Sequence, residues 1–427
     1  MLLVLVMPAA LCAQDSARGD LTLRTLLASI AASHPRTEAA MARVRAALGA
    51  RATAGTLGNP VLSYQVDNTP FPRGRPIDGL DREAMTAVSL PLEPFYQRGA
   101  RLDRASAALR AAEADVVVAR QRLALDAERV YYRVALGQVT VAVARDLSAW
   151  LDTVVAYNRS RVKEGVASEA DLIRARLERD RADAEAVMGE AELAQSRAEL
   201  AGILGVSYDG RRPPRVAPPQ TPLALATRDS GSVVLNALAV RPELRASRER
   251  LAAATASIAS EQRMFIRQVG ATIGTKQTAG STSMIAGLSL AIPLFDANRG
   301  EVQRASAERD AARFDVLNEE RTAFAQVAGA LETVRLLSAQ AATFARGGPD
   351  SFLARADEAR RIALGAYREG AVPLFQVIDA ARTWGDARLT YYRTLYAQHQ
   401  SVLTLIAAEG GDLFAPSSFR PLPEPVR

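Results

Sequence analysis

Three side chains could do acid–base, thiol or metal chemistry: His34, His399 and Cys12. His34 stands before a proline at a predicted helix start, and His399 stands in a predicted final helix. Neither has a carboxylate or cysteine at the spacing of a metal site, so both are assigned structural roles. No GxSxG, P-loop or strand-linked GxGxxG motif occurs. No enzymatic activity and no cofactor are therefore expected, and a metal ion, if handled, is carried rather than tightly ligated.

Charge excludes another class. Lys and Arg number 53 against 47 Asp and Glu, a net charge of +6, with Lys163 and Lys276 the only lysines. Arginine alternates with carboxylates, as in Arg174, Arg176, Glu178, Arg179, Asp180 and Arg181. That is a solvated helix face of mixed sign, not the basic stripe of a nucleic-acid binder.

The opening MLLVLVMPAALCAQDS is a short apolar run ending in small residues, and it predicts a signal peptide over 1–13. It lacks a basic leading segment, which leaves open a start upstream of Met1. Lipidation of Cys12 is a second reading, but Leu11 fits poorly before a lipidated cysteine. Cleavage after Ala13 would leave no cysteine and no disulfide. No later stretch has 18 consecutive apolar residues, so a membrane crossing would have to use strands.

The elements come in two copies. RASAALRAAEADV at 104–116 matches RASAERDAARFDV at 304–316, with Arg104/Arg304, Ala105/Ala305, Ser106/Ser306, Ala107/Ala307, Asp115/Asp315 and Val116/Val316 identical. Each copy predicts a helix (36–57; 242–264), two strands, a very long helix from about 100 or 300, and a returning helix (168–204; 373–409). The long and returning helices meet at KEGVASEADLIRARL (163–177) and REGAVPLFQVIDAAR (368–382). There Gly165 and Gly370 can take the positive φ of a helix C-terminus, and Ser168 or Pro373 can start the next helix. Predicted boundaries are 14–209 for the first repeat, a Pro-rich linker at 210–222, 223–410 for the second repeat, and a tail at 411–427. Gly347-Gly348-Pro349 predicts a kink or loop in the second long helix.

Coiled-coil packing is predicted from 3-4 spacings. One seam is Leu102, Ala105, Leu109, Ala112, Val116, Ala119 and Leu123. Another runs Leu374, Val377, Ala381, Trp384, Arg388, Tyr391, Leu395, Gln398, Val402 and Leu405. The strand candidates are 59–68 with 82–92, and 265–277 with 282–295, each about the length of a tilted membrane strand. Tyr64, Phe71, Phe95, Tyr96, Phe265 and Phe295 gather at or near strand ends, as in an aromatic girdle. Two soluble hairpins are the other reading. Four strands cannot close a membrane barrel, whose smallest members have about eight, so a membrane reading requires several chains to share one barrel.

The order of these parts resembles the TolC family of outer-membrane efflux channels over essentially the whole mature chain. The parts that carry the resemblance are Asn59-Pro60 opening the first strand, Leu90-Pro91 and Ile292-Pro293 at strand ends, Gly99 and Arg101 entering the long helix, and the turns at 164–176 and 369–382. The Asn59-Pro60 phrasing and modest length look closest to the heavy-metal (CzcC-like) branch. The resemblance implies a mainly α fold with a small β part. It implies a homotrimer with a twelve-stranded outer-membrane β-barrel, contacting outer-membrane lipid, continued by a periplasmic α-barrel. It also implies a periplasmic adaptor and an inner-membrane pump of RND or ABC type as partners, and no nucleic acid.

In such channels two carboxylates one helical turn apart line a gate in the second repeat. Here the later one is Asp379 and the earlier position is Gln376, so one acidic ring of the two is kept; Asp171 matches Gln376 in the first repeat. By the same resemblance the tips Gly165, Ser168, Asp171, Gly370, Pro373 and Gln376 would meet the adaptor. Plain αα-hairpin turns and an ordinary exposed Asp379 are the alternatives. The implied function is a passive duct for efflux, with a type I secretion channel or a soluble periplasmic scaffold or adaptor as the other readings.

Overall fold

The computed structural model describes residues 20–69, 81–208, 215–219, 221–223, 230–266, 268–344, 346 and 351–414. The predicted signal peptide, Cys12, Phe71, most of the first strand connection, Gly347 to Pro349, much of the linker and the tail from 415 lie outside them. The fold is mainly α with a small β part.

The chain begins with α1 (Leu23–Ala32) and α2 (Pro35–Ala54), then β1 (Val61–Asp67) and β2 (Glu83–Pro91). The long α3 (Pro94–Lys163) and returning α4 (Glu169–Leu204) complete the first set. The second set is α5 (Ser230–Val240), α6 (Pro242–Arg263), β3 (Val269–Thr278), β4 (Ser281–Leu290), α7 (Arg299–Phe344), α8 (Phe352–Arg368) and α9 (Leu374–Ala408). Helices α1 and α5 were not foreseen. In α1, Thr22 and Thr25 form a capping box, and Leu23, Leu26, Leu27 and Ile30 bury one face. Helices α7 and α8 end and begin on either side of the predicted break.

The residues form two compact units, each drawing on both sets. One comprises Thr37–Val118 and Pro242–Thr322; the other comprises Met1–Arg36, Ala119–Arg241 and Ala323–Arg427.

The first unit holds one antiparallel sheet in the order β1-β2-β3-β4. Each predicted pair is a hairpin, and β2 joins β3 to make them one sheet. Between β3 and β4, Ala279 (φ 49°) and Gly280 (φ 80°) make the tight turn whose twist suits a two-residue hairpin. The predicted seam of α3 is displaced in this unit. Leu102, Ala105, Leu109, Ala112 and Val116 are only half-buried, whereas Ala107, Ala111, Ala114 and Val118 are buried at 4-3-4 spacing. Alanine lets a neighbouring helix approach closely, so the small residues take the tightest contact; Ala114 and Val118 meet Ala246 of α6.

The second unit is helical. Its main core gathers Leu26 and Ile30 of α1, Leu123, Tyr131 and Val134 of α3, Leu200 of α4, and Leu403 of α9. The predicted α9 seam is buried at Leu374, Val377, Ala381, Trp384, Leu395, Gln398, Val402 and Leu405. The described residues of the linker and its exit are held by Leu21, which forms a parallel bridge to Val216 and bonds the Arg215 carbonyl and the Ala217 amide at 2.9 Å each, and by side chains. Gln138 takes both backbone groups of Val216, at 3.1 and 3.0 Å. Gln398 takes both of Leu223, at 3.0 and 2.9 Å. Tyr131 donates to the Ala217 carbonyl, and His399 bonds the Thr221 carbonyl at 2.8 Å. No helix of the described residues is long and apolar enough to cross a membrane.

Candidate functional site: hairpin tips and a two-faced sheet

The two tips use one device. After α3, the Val166 amide bonds the Arg161 carbonyl at 2.9 Å and Gly165 bonds Val162 at 3.1 Å. After α8, Ala371 bonds Ala366 at 2.8 Å and Gly370 bonds Tyr367 at 3.1 Å. Both are Schellman closures, with φ of +74° at Gly165 and +78° at Gly370. A Cβ at either glycine would meet nothing within 4 Å, so the backbone angle alone demands glycine.

The restarts differ. Ser168 caps α4 by accepting the Asp171 amide at 3.1 Å, and its hydroxyl donates to the Asp171 carboxylate at 3.0 Å. Pro373 stands at the N-cap of α9 with no side-chain cap. Asp171 is thus occupied locally. Gln376 and Asp379 lie one turn apart on an exposed face of α9, flanking the buried Val377 and Ile378. Neither side chain makes a hydrogen bond or ion pair to another described residue.

One apolar cluster joins both tips: Val154 and Val155 of α3, Leu172 and Ala175 of α4, Tyr367 of α8, and Leu374 and Val377 of α9. At its edge Tyr367 donates to the Asn158 side-chain carbonyl at 2.5 Å, and Tyr157 donates to the Arg368 carbonyl at 3.2 Å. Burial holds the Tyr367 phenol above its ordinary pKa, keeping it a donor. The Arg161 guanidinium lies over both rings, 5.7 and 5.4 Å from their centroids. Asn158 itself is fully buried and anchored to the Val154 carbonyl. None of these partners was singled out from the sequence, because α3 and α8 are distant in the chain and carry no motif there.

Both histidines bond backbone groups. His34 accepts the Arg36 amide at 3.1 Å. His399 lies between the Tyr132 hydroxyl at 3.1 Å and the Thr221 carbonyl. Among the described residues no group of three or more His, Cys, Asp or Glu side chains could hold a metal ion.

The sheet sorts its side chains by register. Leu62, Val88, Ile273 and Ala286 are mutual partners across the four strands and share one face. Tyr64, Leu90, Ala271, Met284, Leu288 and Leu290 belong to the same face by alternation, with Thr86, Thr275, Gln277 and Thr282 as its polar exceptions. The opposite face carries Ser63, Gln65, Glu83, Ser89, Thr272, Lys276, Ser283 and Ser289, with Val61, Met85 and Ile285 as apolar exceptions. There Lys276 pairs with Glu83 at 2.6 Å, and Ser89 bonds Thr272 at 2.8 Å. The apolar face is uncovered: Leu62 is 71%, Met284 74% and Leu288 83% exposed. Of the aromatics foreseen near strand ends, Tyr64, Phe95, Tyr96, Phe265 and Phe295 are exposed too. Strands β1 and β4 each pair on one side only among the described residues. Such an arrangement suits a surface with lipid on one side and water on the other, completed by further strands at both edges.

The sequence profile described as "Outer membrane efflux protein" matches residues 26–206 and 233–411. The cobalt-zinc-cadmium resistance protein CzcC of Cupriavidus metallidurans is 24% identical over 91% of this chain and 90% of its own. The nickel and cobalt resistance protein CnrC of the same organism is 28% identical over 71% of this chain and 73% of its own. Among solved structures the outer-membrane channel OprN superposes with a TM-score of 0.76 at 21% identity, covering 92% of this chain and 91% of that one.

Proposed function

The chain belongs to the outer membrane efflux protein family, and from that premise we propose that it is the exit duct of a tripartite efflux system. Three copies would each contribute four strands to a shared barrel in the outer membrane. The single observation that carries this reading is the sheet with one apolar face, one polar face and two open edges. A closed barrel leaves no unpaired edge in lipid, and three four-stranded sheets supply twelve strands.

The helical hairpins would form the periplasmic duct, with an adaptor meeting Gly165, Ser168, Asp171, Gly370 and Pro373. Asp379 is exposed and unpaired, as a pore carboxylate should be. Three copies about an axis would attract cations and repel anions. Gln376, one turn earlier, adds no second ring. The cargo favoured is a divalent transition-metal cation, because CzcC and CnrC are named for resistance to such ions. An inner-membrane pump would supply the energy, and the duct itself would carry out no reaction.

The test is fractionation followed by planar-bilayer recording. The expected result is a heat-modifiable trimer in the outer-membrane fraction that forms cation-selective channels, with selectivity reduced in Asp379→Ala. A soluble monomer with no outer-membrane fraction would overturn the duct. Unchanged selectivity in Asp379→Ala would remove that residue from the gate.

A further inference from the structure

Both tryptophans of the chain, Trp150 on α3 and Trp384 on α9, address one side chain, Arg360 on α8. The guanidinium carbon lies 3.8 Å from the Trp384 ring centroid and 5.4 Å from that of Trp150. Trp384 is almost fully buried, and its indole N–H donates to Asp357 at 2.5 Å. Asp357 also accepts from Arg388, which lies 4.8 Å from the same ring centroid. The Arg360 side chain makes no hydrogen bond or salt bridge to another described residue, although the Asp357 and Asp146 carboxylates act on its charge. Its closest neighbours are two aromatic faces that belong to two other helices.

The helix carrying it is separate. In the first set α3 is one helix through to Lys163, whereas in the second α7 stops at Phe344 and α8 starts at Phe352. A continuous helix transmits its direction through the backbone ladder; α8 must take its direction from side chains. Near the tip the Tyr367–Asn158 bond supplies one such tie, and the Arg360 stack supplies the next.

We propose that Arg360 is a positioning residue, which seats the α8–α9 hairpin on α3 and thereby sets where Asp379 stands. A planar guanidinium fits between two indoles in a way that an ammonium cannot. The pore consequence rests on the duct reading; the seating itself does not.

The experiment uses the full-length trimer in detergent and in planar bilayers. Trp384→Phe leaves Trp150 as the only indole. In that background Arg360→Gln should shift Trp150 emission to the red and raise its acrylamide quenching by about twofold, the stack having lost its planar guanidinium. With both tryptophans present, Arg360→Gln should shift the cobalt concentration that half-blocks the channel by about threefold or more, within the range of one cation–π contact. Arg360→Lys should behave like Arg360→Gln. Rescue of both readouts by Lys would overturn the proposal, since charge alone would then suffice. Unchanged Trp150 emission would overturn the seating, and altered emission with unchanged block would overturn the link to Asp379. Wild-type trimers that form no channel would sink the duct reading instead, whatever the emission shows.

Discussion

Arg382 of α9 grips Glu178 of α4 through two parallel hydrogen bonds, one of them 3.0 Å from Nε to Oε2. Glu178 is largely buried while Arg382 is half-exposed. Planar guanidinium and carboxylate match in this geometry, so the pair fixes both distance and orientation between the two returning helices. It sits three residues past Asp379, on the same helix.

A double-mutant cycle on Glu178→Gln and Arg382→Gln should therefore give a coupling of about 1 kcal/mol, since the arginine remains exposed to solvent. Thermal midpoints of the trimer provide the measurement. Strict additivity would show that the pair adds nothing to cohesion of the returning helices.

The tips make a second case. Gly165→Ala and Gly370→Ala should each cost about 1–2 kcal/mol, the price of a left-handed backbone for a residue with Cβ. The two losses should be alike because neither Cβ meets a neighbour. Asn should recover part of the loss. Unequal losses measured by thermal midpoint would mean that one tip relaxes out of the Schellman closure.

Adjacent residues on β1 separate the two sheet faces. Leu62→Arg places a charge on the apolar face, where it would cost about 2–4 kcal/mol near the middle of a bilayer. Ser63→Arg places the same charge on the polar face. Outer-membrane yield should fall sharply for the first and stay near wild type for the second. Equal yields would mean that the faces do not meet different solvents.

Stability should vary with pH in two opposed ways. Burial holds the folded pKa of His399 below its ordinary 6.5. The unfolded state therefore binds the proton first, and the histidine's contribution is present above 6.5 and lost as pH falls through its folded value. Glu128 is almost fully buried, and burial raises its pKa well above 4.5. Its contribution is present below 4.5 and lost as pH rises through the raised value. Glu128→Gln should raise the thermal midpoint most at neutral and higher pH, and His399→Gln should flatten the acid limb. A Glu128→Gln profile parallel to wild type would rule out a buried proton at that site.

The local parts of this fold were legible in the sequence. Positive-φ glycines, the Ser168 cap and strand alternation are short-range rules, and helix ends at Glu169, Leu204, Leu374 and Ala408 fell within a residue of expectation. The α3 seam was harder, because in an alanine-rich helix two neighbouring stripes have nearly the same apolar content. Only tertiary packing selects Ala107, Ala111, Ala114 and Val118, the last two of them against Ala246 of α6. The ties among Tyr367, Asn158 and Arg161, and those of Arg360 and Arg382, were not legible, since each joins residues far apart in the chain without a spacing rule.

The glutamines that answer Val216 and Leu223 have a consequence for how the halves stay in register. Gln138 of α3 satisfies both backbone groups of Val216 in the linker, and Gln398 of α9 does the same for Leu223, the first residue of the second repeat, so the path of the junction is recorded in side-chain amides as well as in chain connectivity. A polypeptide interrupted just before Arg215 would still carry the instructions for docking its second half onto its first. The junction between the repeats is therefore an address as much as a tether.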